Sequence, residues 1–140
     1  MKYVSDDNLK YYDSKLKDYI NSDELNKFAY GIEWDITNPS PKCTRIGNLE
    51  LHRLLPIQSA MKGCLLRDDG TIAEYLPKDD WSNSTLDGSK GQVMVEIPEF
   101  YYKFETDGNK RRAWISTFNL TGFRKSRRGY VGAYEASLDR

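Results

Sequence analysis

Residues 91–105, GQVMVEIPEFYYKFE, limit what this chain can become more than any other segment. They form its longest run of strand-forming residues, introduced by the turn sequence Leu86-Asp87-Gly88-Ser89. Val93, Val95 and Ile97 alternate with Met94 and Glu96, the period of two expected of a strand with one buried face. Pro98 has no N–H for a ladder bond, so it marks an edge or a bulge. Beyond it, Phe100, Tyr102 and Phe104 alternate with Tyr101, Lys103 and Glu105. The stretch reads as the central strand pair of a β-rich scaffold and carries no evident chemistry.

Short strands and turns continue on both sides. Residues 61–66 and 71–76 are apolar runs joined by Asp68-Asp69-Gly70, a hairpin signal. Asp107-Gly108-Asn109 is a further turn, leading into a paired strand at 113–117 around Trp114. Residues 77–90 read as a loop with Trp81 as its anchor in the core. Brief strands are expected at 32–36 and 43–46, a short strand or a bend at 130–134, and a loop at Asn38-Pro39-Ser40-Pro41, where each proline extends its predecessor. Gly47-Asn48 turns the chain, and residues 49–55 fit a strand or one helical turn before Pro56.

The N-terminal segment has a different period. Ser5 is a good N-cap, with Asp6 and Asp7 in the first turn, where the helix dipole favours negative charge. Leu9, Tyr12, Leu16, Tyr19 and Ile20 then recur at spacings of three and four and draw one apolar stripe. Ser22-Asp23-Glu24 is suited to capping a second short turn carrying Leu25 and Phe28. An isolated helix of about 16 residues is marginal in water. Its stripe must be covered by its own domain, by copies of itself or by a partner protein. The expected fold class is α+β, mostly β: residues 1–28 form a helical attachment or oligomerisation segment, and 29–140 an irregular β-rich module.

Composition narrows the function classes. Lys+Arg and Asp+Glu both number 21 over 140 residues, so no global field draws nucleic acid or an anionic membrane. Ten tyrosines and three tryptophans argue against disorder and suit recognition surfaces. No apolar run approaches the roughly 20 residues of a membrane helix. Met1-Lys2-Tyr3-Val4 runs at once into Ser5-Asp6-Asp7, unlike a signal peptide, so synthesis and folding in the cytoplasm are expected.

Catalytic and metal patterns are sparse. A hydrolase needs a nucleophile beside its base, or paired carboxylates. His52 is the only histidine and no Gly-x-Ser-x-Gly elbow accompanies it, so it reads as a structural or surface residue. Glu96, Glu99 and Glu105 are the carboxylates a sugar hydrolase would use, and Glu99 and Glu105 share a face if the alternation survives Pro98. Strand carboxylates ordinarily face solvent, and no catalytic residue is expected. Cys43 and Cys64 are too few for a disulfide framework and read as buried free thiols. With one histidine they fall short of a zinc set.

Asp68-Asp69-Gly70 and Asp79-Asp80 lack the alternating oxygens of an EF-hand loop, and Gly88-x-x-Gly91 lacks the Lys-Ser/Thr of a phosphate loop. No metal or cofactor is expected. Arg124, Lys125, Arg127 and Arg128, flanked by Phe123 and Tyr130, would allow base stacking. The neutral chain and the small cluster favour instead a solvated loop, or one meeting an acidic patch on a partner.

Several segments form an ordered series: Trp34-Asp35, Thr44-Arg45-Ile46-Gly47-Asn48, Leu51-His52, Leu54-Leu55-Pro56-Ile57-Gln58-Ser59 and Lys62-Gly63-Cys64-Leu65-Leu66. Leu86-Asp87-Gly88-Ser89, residues 91–98 and residues 130–140 follow in the same order. The series, over roughly Gly31–Arg140, resembles structural proteins of gut Bacteroidales phages, crAss-like phages among them, and related prophage proteins. Some of these are variable proteins of diversity-generating retroelements. The N-terminal helix, with Leu9-Lys10-Tyr11-Tyr12-Asp13-Ser14-Lys15, is similar to the first helices of phage fibre proteins.

The resemblance implies the opening of a C-type-lectin-like module of the formylglycine-generating-enzyme type, in a tail fibre, head fibre or virion adhesin. It implies attachment through Leu9, Tyr12, Leu16, Tyr19 and Ile20 to other virion proteins or to copies of the chain, a trimer being favoured. It further implies a host surface glycan or protein as receptor, localisation in the virion, and neither nucleic-acid binding nor membrane insertion. A bacterial surface adhesin or a retroelement-linked lectin module is the alternative. Chains of this group continue past Ala133-Tyr134-Glu135-Ala136 into the part that holds ligand-binding or hypervariable positions. The expectation is therefore a fragment, an ordered portion of a longer fibre, or a shortened protein kept for attachment, with the recognition tip beyond Arg140.

Overall fold

A computed structural model describes residues 23–134. Leu9, Tyr12, Leu16, Tyr19 and Ile20 lie outside the described residues, as does the segment after Tyr134. The described chain is mostly strand, in two antiparallel sheets, with short helical pieces at 23–28, Leu49–Leu54 and Pro56–Ser59. The strands are β1 (Ala29–Asp35), β2 (Thr44–Gly47), β3 (Lys62–Leu66), β4 (Ile72–Tyr75), β5 (Gln92–Ile97), β6 (Phe100–Asp107), β7 (Lys110–Ser116), β8 (Arg124–Ser126) and β9 (Gly129–Gly132). A five-stranded sheet has the order β2-β1-β7-β6-β8, and a four-stranded sheet the order β4-β3-β5-β9. The chain divides into two compact units, one running to Leu54 and resuming over Tyr101–Lys125, the other comprising Leu55–Phe100 and the segment from Ser126.

In the first unit β6 and β7 form a hairpin closed at Asp107↔Lys110, with Gly108 taking the positive φ of +57° that the turn needs. The expected turn and its strand are both present. β1 pairs with β7 on one side and β2 on the other. One face carries the core: Ala29, Trp114, Leu120 and Phe123, with Leu25, Ile46 and Tyr101 packed against them. Tyr101, not the Phe100-Tyr102-Phe104 set, therefore marks the core side of β6, and Phe104 is 72% exposed.

Residues 49–54 resolve as a helix because Asn48 caps them. Its Oδ1 accepts the Glu50 N–H at 2.9 Å, while its Nδ2 donates to the Lys27 carbonyl at 2.7 Å. Gly47 precedes it with φ +86°, and a Cβ there would stand 2.8 Å from the Trp114 ring. Only glycine meets both demands.

In the second unit the 62–66 and 72–75 runs pair as the expected hairpin, and β5 lies between β3 and β9. Ile57, Cys64, Leu65 and Leu76 supply its buried apolar side chains. Here the expected strand pair is corrected. β5 and β6 do not pair; the chain leaves the four-stranded sheet at Ile97 and enters the five-stranded one at Phe100. Pro98, unable to donate, sits in that break. The expected burial is corrected too: Val93, Val95 and Ile97 are half-buried, and Glu96 on the opposite side is only 7% exposed.

Candidate binding groove

β3 and β4 run antiparallel, so the start of β3 and the end of β4 meet at one end of the four-stranded sheet. A groove of about 570 Å³ opens there, within the range of small-molecule sites. Met61, Lys62, Gly63, Tyr75, Lys78, Trp81 and Val95 are among the residues that line it. Register places Tyr75, Lys62 and Glu96 on one face of the sheet and Gly63, Val95 and the Trp81 ring on the other, so the groove lies across the sheet's end.

Both rings are held. Trp81 donates its indole N–H to the Pro77 carbonyl at 2.9 Å. It also lies directly over Gly63, where a Cβ would come within 2.2 Å of the ring. Gly63 is thus the residue that lets the indole bed against β3. The expectation of Trp81 as a core anchor is sharpened, since the residue is half-buried and also lines the groove.

Tyr75 is 48% exposed, yet its hydroxyl is fixed by the buried Glu96, donating to Oε2 at 2.9 Å. Tyr130 of β9 donates to the same oxygen at 3.1 Å. The register explains the convergence, because Lys62, Glu96 and Tyr130 occupy one cross-strand row and Tyr75 comes from the adjoining edge strand. The Lys62 ammonium lies 5.2 Å from the Tyr75 ring centroid, within cation–π range.

The electrostatics fit positioning rather than proton transfer. The bond to Glu96 raises the Tyr75 phenol above its ordinary value, with burial adding to it. Burial raises Tyr130, and its bond to Glu96 adds to that, while the Arg128 charge opposes both shifts. Both phenols are therefore held as donors. Burial, then the charge of Glu96, raises the Cys64 thiol, so this cysteine is poorly suited as a nucleophile.

The other residues singled out from the sequence are placed as follows. Glu105 lies in β6 of the other sheet, 3.4 Å from Arg112 and 3.9 Å from Lys103, whereas Glu99 is exposed in the break after Pro98. Glu96 and Glu105 belong to different sheets. His52 is structural: Nε2 is 2.8 Å from the Ile46 carbonyl, and the ring packs edge-on to Tyr30. Cys64 is buried as expected, whereas Cys43 is exposed, a correction that follows from its place just before the edge strand β2.

Asp69 accepts the N–H and hydroxyl of Thr71, a turn bond that lowers its pKa. The aromatics beside the basic cluster are both committed, Phe123 to the core and Tyr130 to Glu96. Among the described residues no three His, Cys, Asp or Glu side chains gather as a metal site.

Sequence reasoning found Trp81 but not Lys62, Tyr75 or Lys78 as its neighbours. The only local signal was Lys62-Gly63, a glycine inside a strand, which often marks a close approach. No known protein family, curated protein or solved structure matches this chain.

Proposed function

We propose that this chain is a non-catalytic structural protein of a bacteriophage particle, a tail or head fibre or adhesin. Its N-terminal stripe attaches it to the particle, and its β-rich part supports receptor binding as the opening of a C-type-lectin-like module. The observation that carries this reading is the ordered series from Trp34-Asp35 through Lys62–Leu66 to residues 130–140, which resembles phage structural proteins. The mostly-β fold is compatible with such a module.

Attachment works by covering Leu9, Tyr12, Leu16, Tyr19 and Ile20. Each large apolar side chain fully buried contributes about 1.5–3 kcal/mol, so a few such side chains hold an assembly together. Light scattering and particle incorporation test this with Leu16→Asp. The wild-type chain is expected to assemble, as a trimer, and to enter particles, and the variant to do neither. Unchanged assembly together with unchanged incorporation overturns the proposal.

A further inference from the structure

We propose that the open face of the five-stranded sheet, carrying Trp34, Tyr102, Phe104, Arg45 and Arg111, is a docking surface for a single-stranded nucleic acid. The proposal rests on this sheet alone and does not depend on a phage origin.

Register divides the side chains of β1, β2, β6 and β7 between two faces. One is the core face of Ala29, Trp114 and Tyr101. The other carries the cross-strand rows Arg45-Ile32-Ala113-Phe104 and Trp34-Arg111-Thr106, with Tyr102 in the row beside Phe104. At one end of this face Tyr30 is buried, and His52 of the helix Leu49–Leu54 packs on its ring. Further along, Ile32 and Phe104 are exposed, and Trp34, Tyr102 and Ala113 are only half-buried. The middle of the sheet is therefore open, and a contiguous apolar face of this kind marks an interaction surface.

Charge is segregated between the same two faces. Among the described residues of these four strands, every carboxylate (Glu33, Asp35, Glu105 and Asp107) lies on the core face. Arg112 and Lys110 face and pair with acids there. Arg45 and Arg111 lie on the open face, and Arg124 of the edge strand β8 lines a hollow with Tyr102 and Phe104. The nearby acid of the covering helix, Glu50, is paired with Arg53. The neutral total of the chain thus conceals a face that is aromatic and cationic, and the partner it complements is an anion.

The rings select among anions. Those of Tyr102 and Phe104 stand 5.6 Å apart at a tilt of 55° and make one aromatic platform. Trp34 lies two strands away, roughly 12 Å off by strand and residue spacing, far enough for a separate base. A planar base stacks on any such ring, and guanidinium groups both pair with phosphates and stack on bases. An acidic amphipathic helix requires instead a groove for its side chains, which the open face of a sheet does not provide.

Fluorescence anisotropy of a labelled oligodeoxythymidine of about 12 nucleotides, titrated with the full chain, tests the proposal. Binding is expected at low salt, weakening as salt rises by the slope of about two or three phosphate contacts. A duplex of the same length, whose bases are already stacked, is expected to compete at least tenfold less well. Phe104→Ala, a change at an exposed position that leaves the fold intact, is expected to weaken binding about tenfold, the scale of one lost base stack. Arg45→Gln is expected to weaken it about fivefold, and Lys90→Gln, which removes a cation of the other unit, to change nothing. No binding at low salt, indifference to Phe104→Ala, or equal losses in Arg45→Gln and Lys90→Gln each overturns the proposal. So does tighter binding of the duplex, of polyglutamate or of a heparin hexasaccharide, which would make the face a site for charge or for another polymer.

Discussion

The five-stranded sheet keeps its acids partly exposed and surrounds a cation with them, whereas the four-stranded sheet buries one acid and gives it two phenols. In the first, Glu33, Arg112 and Glu105 lie in one cross-strand row. Arg112 Nε reaches Glu33 at 2.6 Å, and its other nitrogens reach Glu105 at 3.4 Å and Asp107 at 3.1 Å; Lys110 joins Glu33 at 3.5 Å. In the second, Glu96 is 7% exposed and accepts from Tyr75 and Tyr130. The contrast is one of solvent. Near water, opposite charges are cheap to place and weakly coupled. Inside, a charge must be solvated by fixed dipoles, and once these are arranged around it their removal is costly.

The sharpest way to break this comparison is Glu96→Ala. It leaves two hydroxyls without their acceptor and opens a space in the sheet, at an expected cost of about 2–4 kcal/mol in urea denaturation. Glu96→Gln, which keeps an acceptor oxygen of similar shape, should lose less than half as much. Equal losses would show that packing alone, not hydrogen bonding, is at stake. Retention of the Trp81 signal in Glu96→Gln, with a broadened Tyr75 ring, would confirm that Glu96 positions the phenol.

A smaller effect is expected of Arg112→Met. It leaves Glu33, Glu105 and Asp107 repelling one another with most of the stem's packing retained, at about 1–2 kcal/mol. The loss should shrink as salt is raised, because the groups are half-exposed. A loss that salt does not alter would place this network in the same class as Glu96.

The smallest expected effect separates the two by pH. Arg112 lowers the Glu33 pKa below its ordinary 4.5, so its stabilising contribution is complete above that value. It is lost as pH falls through the lower folded value. Tyr75 and Tyr130 are raised above 10.0, so their contribution is complete below it and lost as pH rises through the folded values. Subtracting the stability curve of Glu33→Gln from that of the wild type should leave a difference that is level above the ordinary Glu33 value of 4.5 and shrinks only as pH falls below it. For Tyr75→Phe combined with Tyr130→Phe, the difference should be level below 10.0 and shrink only as pH rises beyond it. A difference that shrinks on the opposite side would break the comparison.

Much of the local structure was legible. The hairpin at 62–75, the turn at 107–109 and the strand around Trp114 follow from alternation and from Asp-Gly chemistry, which act within a few residues. Residues 49–54 were ambiguous because their helix depends on Asn48, which is tied to Lys27, 21 positions away. Groove residues were harder to read. Lys62 and Tyr75 look like ordinary surface ends of strands until pairing sets them beside each other and Glu96.

By itself, then, the sequence determined that this chain is mostly β, where its turns fall, and that Pro98 interrupts residues 91–105. Only the tertiary structure decided that the two halves of that run serve different sheets and that Glu96 faces inward. A period of two defines two faces of a strand. Which face is buried depends on neighbours brought from Lys62, Tyr75 and Tyr130, and those contacts are made by long-range pairing that no local pattern encodes.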